Sequence, residues 1–196
     1  MIVIGLTGSI GMGKSTVAKM IEEEGVPVFD ADAAVHRLQG PEGRLVAAIE
    51  ALFPGTTGAS GVNRTSLAEA VLGDTAALQK LEQLVHPAVA RERETFFAEN
   101  EDAPLIVLDI PLLFEKGGWD QVDRIIVVSA PADMQRERVL ARPGMTETRF
   151  EQILARQLPD ADKRARAHFV VDTGVSLDET RAQVRSILAS LRAEGA

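Results

Sequence analysis

The chain has 196 residues, 45% of them hydrophobic, a formal net charge of −8 and no cysteine. That length suits one domain with insertions better than two independent ones. The lack of thiols excludes disulfides and thiolate zinc sites, and the acidic balance argues against general affinity for nucleic-acid backbone.

Residues 2–6 form a short apolar run that reads as a first strand. The run is too short for a secretory leader and no basic residues precede it. No stretch of the chain approaches the length of a membrane span, so a cytoplasmic protein without a membrane partner is expected.

Directly after it comes Gly8-Ser9-Ile10-Gly11-Met12-Gly13-Lys14-Ser15, a complete G-x-x-x-x-G-K-[ST] phosphate-binding loop. Its glycines let backbone N–H groups face an anion that side chains would otherwise exclude. Lys14 supplies a cation to the outer phosphates, and the Ser15 hydroxyl suits the Mg2+ that accompanies a nucleoside triphosphate. Apolar Val17, Met20 and Ile21 mark the helix that should follow and aim its N-terminus at the phosphates.

A second apolar run, 26–29, ends in Asp30-Ala31-Asp32. Carboxylates at the carboxyl end of a strand near the loop favour a hydroxyl acceptor, whose proton needs a base, over a phosphate acceptor, which needs none. The competing reading is that both aspartates cap a turn and the next helix.

The interval 30–104 reads as helices, with apolar spacing at 45–53, 67–72, 78–85 and 89–97. It is expected to be an inserted helical subdomain. The turn-rich stretch 54–61 should be an exposed mobile loop, Asp74 is a plausible N-cap, and His86-Pro87 should lie between two helices. The three scattered histidines form no metal-binding spacing.

Residues 105–108 form a third strand ending in Asp109, either a Walker-B aspartate that holds Mg2+ through water or a simple turn former. The segment Ile110-Pro111-Leu112-Leu113-Phe114-Glu115 can line an acceptor pocket or merely pack. Further strands are expected at 125–128 and 169–171.

Between Arg136 and Arg166 eight basic residues face five acidic ones, a local cationic segment in an acidic chain. Arg136, Arg138 and Arg142 precede the breaker Pro143-Gly144, and a second helix resumes over 146–157. Such a pair can form a hinged lid over phosphates or a solvated helix face. Ser176-Leu177-Asp178-Glu179 is a capping-box start for a last helix. The alternation of strands and helices implies a P-loop NTPase-type α/β fold: a parallel five-stranded sheet flanked by helices, with a helical substrate-binding insertion and a lid.

Leu6 to Thr16, Val28-Phe29-Asp30-Ala31-Asp32, Leu84-Val85-His86-Pro87, Asp109 to Glu115, Ile153-Leu154-Ala155-Arg156-Gln157, and 163–173 together resemble the dephospho-coenzyme A kinase family over nearly the whole chain. The resemblance implies transfer of the ATP γ-phosphate to the 3′-hydroxyl of dephospho-coenzyme A, with Mg2+ required. It implies one P-loop kinase domain over 1–196, with a coenzyme-binding insertion at 33–103 and a lid at 136–167.

Carried over by motif, Asp32 is the base, with Lys14 and Arg142 completing the catalytic set. Gly8, Gly11, Met12, Gly13, Lys14, Ser15, Thr16, Arg138 and Arg142 bind ATP. Asp32, Arg64, His86, Pro111, Leu112 and Glu115 bind the coenzyme, and Ser15 and Asp109 hold the metal. Met12 in place of a small residue, and His168 at a place that is often acidic, depart from the family pattern. The expected partners are the two substrates alone, with no nucleic acid, in a monomer or small homo-oligomer. Two other readings fit the loop: a shikimate- or gluconate-type kinase, disfavoured by the long insertion, and a GTP-dependent switch, disfavoured by the missing Asn-Lys-x-Asp motif.

Overall fold

The computed structural model describes residues 1–194, which fall into two compact units: Met1–Phe29 with Asn100 onward, and Asp30–Glu99. In the first unit, β1 (Ile2–Thr7) leads through the phosphate loop into α1 (Lys14–Glu23), and β2 (Val28–Asp30) carries the chain to the unit boundary. Helix α1 forms because Val17, Ala18, Met20 and Ile21 share one face and bury it.

The second unit contains α2 (Ala31–Gln39), α3 (Val46–Leu52), β3 (Thr57–Gly58), β4 (Gly61–Val62), α4 (Arg64–Val71) and α5 (Thr75–Glu99). Its core is Leu38, Leu45, Ile49, Phe53 and Leu67, covered by apolar side chains of α5 such as Leu81, Leu84 and Val85. Two sequence expectations fail here. Instead of two helices separated at His86-Pro87, α5 is continuous for 25 residues with Pro87 inside it. A proline there removes one ladder bond at a cost of about 3 kcal/mol, and the apolar stripe on both sides of Pro87 offsets it by packing on one core. The stretch 54–61 is not a free loop either: β3 and β4 pair antiparallel. The Glu50 carboxylate organises the turn by accepting from Gly55 N (2.8 Å), Thr57 N (3.1 Å) and Thr57 Oγ1 (2.7 Å).

The chain returns to the first unit in β5 (Leu105–Asp109), β6 (Arg124–Ser129), α6 (Ala132–Leu140), α7 (Glu147–Leu154), α8 (Asp160–Ala165), β7 (Phe169–Asp172) and α9 (Leu177–Glu194). The sheet order is β2-β5-β1-β6-β7, with β1 parallel to both β5 and β6, and β6 parallel to β7. All five residues of β5 are buried, as expected of a strand covered on both faces. One face packs on α1 and α9 through Val17, Ile21, Val184, Leu188 and Leu191. The other holds Leu113, Ile125 and Val127.

Strands β2 and β5 lie on one side of β1 and β6 and β7 on the other, so the switch point falls at the carboxyl end of β1, where open α/β sheets bind ligands. The registers Leu6↔Asp109, Thr7↔Val127 and Ser129↔Asp172 bring the strand ends to one edge. Among the described residues no helix is long and apolar enough to cross a membrane.

Candidate active site

The phosphate loop occupies that edge. Gly11 and Gly13 have φ of 80° and 86°, a region that side chains disfavour. A Cβ on Gly11 would lie 2.5 Å from Val139 Cγ2 and 2.9 Å from Gln135 O, and one on Gly8 would lie 2.7 Å from Val128 O. These glycines therefore answer to packing from outside the loop as well as to anion access from within it. The first-turn amides of Lys14 and Ser15 have no intrahelical acceptor, which leaves them for an anion.

Lys14 Nζ forms an ion pair with Asp109 Oδ1 at the end of β5. Asp109 is 5% exposed, so its charge is held in a poorly solvated place beside the lysine. The Ser15 and Thr16 side chains are exposed at the start of α1. Met12 is buried: its thioether accepts from Ala130 N at 3.1 Å and its side chain joins the main core, so the larger residue fits without entering the anion site.

Thr173, just past β7, braces the loop from the other side. Its hydroxyl donates to Met12 O (2.8 Å) and accepts from Arg138 Nη1 (3.0 Å), while Arg138 Nη2 donates to Thr173 O (2.7 Å). Arg138 thus sits at the phosphate loop, held by the last strand. Arg136 is committed elsewhere, in a two-pronged pair with Glu147 at 2.7 and 2.6 Å that joins α6 to α7. Arg142 is exposed in the turn after α6 and makes no side-chain bond among the described residues.

Glu115, expected among the substrate-binding residues, is engaged by partners within the protein. Its Oε1 accepts from Leu158 N (2.8 Å) and lies 2.8 Å from the Nζ of Lys163, a lysine with no exposed surface. Its Oε2 is enclosed without a partner. Burial alone would raise the Glu115 pKa, but the bonds from Lys163 and Leu158 outweigh it and hold the carboxyl below the ordinary glutamate value. The carboxylate anchors α8 through Lys163. Pro111 O accepts from Thr7 Oγ1 at 3.2 Å, and Pro111 and Leu112 are half-buried in the same segment. His168 uses Nδ1 to accept from Ile125 N at 3.1 Å, a bond to β6 that requires no carboxylate there.

In the second unit the double aspartate divides. Asp30 caps α2, its Oδ1 accepting from Ala33 N at 2.9 Å. Asp32 is exposed and its carboxylate makes no bond among the described residues. Arg64 at the start of α4 and His86 within α5 are both exposed.

Thr173 and Gln135 were not read as functional from the sequence. A threonine following the last apolar run, and a glutamine four residues before Val139 on the buried face of a basic helix, are the signals that marked them.

A phosphate loop at the switch point of a parallel sheet, with a lysine and an arginine at its rim, defines a P-loop nucleotide-binding protein. The family model for dephospho-CoA kinase matches residues 2–179. The dephospho-CoA kinase of Novosphingobium aromaticivorans is 62% identical over 97% of this chain and 94% of its own. A crystal structure from Thermus thermophilus, TT1252, superposes with a TM-score of 0.80 at 36% identity, covering 97% of each chain. Dephospho-CoA kinase from Campylobacter jejuni shares the fold, with a TM-score of 0.69 at 20% identity over 96% of each chain. The chain belongs to the dephospho-CoA kinase family, and it is an ATP-dependent kinase that phosphorylates dephospho-CoA in coenzyme A biosynthesis.

Proposed function

We propose that the γ-phosphoryl group of ATP passes in line to the 3′-hydroxyl of the ribose of dephospho-CoA, giving coenzyme A and ADP. The observation that carries the donor half is the glycine-shaped loop leading into α1, with Lys14 at its rim. Amides from Gly11 to Thr16 take the phosphate oxygens, and Lys14 leaves Asp109 for the outer phosphates. Arg138 stays on Thr173 beside the nucleotide. Arg142, exposed in its turn, swings over the transferring group as its charge spreads.

Asp32 accepts the hydroxyl proton while Asp30 keeps α2 capped. Within the helical unit Arg64 and His86 serve as coenzyme contacts, and within the first unit Pro111 and Leu112 do. A hydroxyl at Ser15 and a carboxylate at Asp109 are oxygen donors of the kind Mg2+ takes, and these two residues would hold it. Among the described residues no group of three His, Cys, Asp or Glu can hold a metal alone, which suits an ion that arrives with the nucleotide. When bound, Mg2+ neutralises charge on the β- and γ-phosphates. On this proposal the enzyme works in the cytoplasm, as a monomer or small homo-oligomer whose partners are its substrates.

A coupled assay for ADP with dephospho-CoA, shikimate or no acceptor tests it, with phosphorus NMR of the product to locate the new ester. Turnover with dephospho-CoA alone and a 3′-phosphomonoester is the expected result; turnover with shikimate, or without an acceptor, refutes it.

A further inference from the structure

Both backbone polar atoms of Ile10, near the tip of the phosphate loop, are held by glutamines that the reaction scheme above does not use. Gln157 Oε1 accepts from Ile10 N at 3.1 Å, and Gln135 Nε2 donates to Ile10 O at 2.7 Å. The backbone partners set the polarity of each amide: an N–H requires an acceptor and a carbonyl requires a donor. Each glutamine is itself fixed. Gln135 is 5% exposed within α6, whose backbone lies so close that Gly11 cannot carry a Cβ. Gln157 precedes Leu158, whose N–H is tied to Glu115, the partner of buried Lys163.

The two bonds act on two successive peptide planes. In a trans peptide the carbonyl and the next N–H point in opposite directions, so holding Ile10 O against Gln135 turns Gly11 N–H the other way. Gly11 has φ of 80° and no Cβ, so nothing within that residue prevents the Ile10–Gly11 plane from flipping. A flip would replace a loop N–H with a carbonyl oxygen and repel a phosphate. We propose that Gln135 and Gln157 are positioning residues for ATP, clamping Ile10 from α6 and from the turn after α7 so that the following amides keep their orientation toward the phosphates. This rests on the reading that the loop holds ATP.

The test uses polarity. Gln135→Met and Gln157→Met remove the polar group at similar volume, and each should raise KM for ATP and Kd for ADP by about fivefold or more, the scale of one hydrogen bond. KM for dephospho-CoA should stay within about twofold, since the clamp touches only the donor loop. Gln157→Glu keeps an acceptor and should recover most of what Gln157→Met loses. Gln135→Glu sets an anionic oxygen against a carbonyl and should bind ADP no better than Gln135→Met. Both glutamate variants add the same charge against the same residue, so their difference isolates the hydrogen bond.

Unchanged nucleotide affinity in the methionine variants, equal rescue by the two glutamates, or a parallel rise in both KM values overturns the proposal. If the buried Gln135 variants do not fold, the Gln157 pair decides the matter. ADP titration reads the clamp even if the wild-type protein fails to phosphorylate dephospho-CoA, so the two readings can fail separately.

Discussion

Lys14 and Asp109, 95 positions apart, form a direct ion pair that joins the phosphate loop to the end of β5. In the proposed mechanism the lysine that meets the phosphates starts on the carboxylate proposed for the metal, so nucleotide binding would exchange one partner for the other. Lys14→Met should lower kcat/KM for ATP by about a hundredfold or more, the scale for loss of a charged transition-state donor. Asp109→Asn should raise the Mg2+ concentration for half-maximal rate by about tenfold or more. Steady-state kinetics over an Mg2+ series check both; an unchanged Mg2+ requirement removes Asp109 from the metal site.

The division between Asp30 and Asp32 gives opposite outcomes for two neighbouring carboxylates. Asp32→Asn should leave ADP affinity nearly intact while turnover falls by about a hundredfold or more. Asp30→Ala should instead lower stability by about 1 kcal/mol through loss of the α2 cap. Turnover and urea denaturation of both variants separate base from cap, and full turnover by Asp32→Asn refutes the base assignment.

Glu115 and Lys163 link stability to acid. The Glu115 pKa is lower folded than unfolded, so its contribution is complete above the ordinary glutamate value of about 4.3 and disappears as pH falls through the lower folded value. Glu115→Gln should flatten that acid limb in melts between pH 7 and 3. Lys163→Met alone leaves a buried carboxylate unpaired and should cost about 3–5 kcal/mol at pH 7, with much of the loss recovered in the Lys163→Met, Glu115→Gln double variant.

Pro87 interrupts the bonding of α5 without ending the helix. Pro87→Ala should therefore stabilise the protein to urea by about 1–3 kcal/mol, as a donor returns to the ladder. No gain would mean that the helix bends around the proline without strain.

Much of the architecture was legible in the sequence because it is written locally. The five sheet strands lie within about two residues of their apolar runs. The capping box at Ser176 and Glu179 forms as its spacing indicated, with Glu179 N donating to Ser176 Oγ at 3.2 Å and Ser176 N donating to Glu179 Oε2 at 3.0 Å. Asp74 caps α5 through Ala76 N and Ala77 N at 2.9 and 3.0 Å. The continuous α5 was not legible, because a proline is a local veto that only packing of the whole apolar stripe on Leu38, Ile49 and Phe53 can override.

By itself, then, the sequence determined the phosphate loop, the lysine and hydroxyl within it, and the strand that precedes it, since each depends on neighbours a few positions away. The tertiary structure decided which of the remaining groups are committed. Arg138 reaches Thr173 across 35 positions, Glu115 meets Lys163 across 48, and Ile10 meets Gln135 and Gln157 across 125 and 147. No periodicity records such partners, because hydrogen bonds and ion pairs of this range exist only once the sheet has brought the strand ends to one edge.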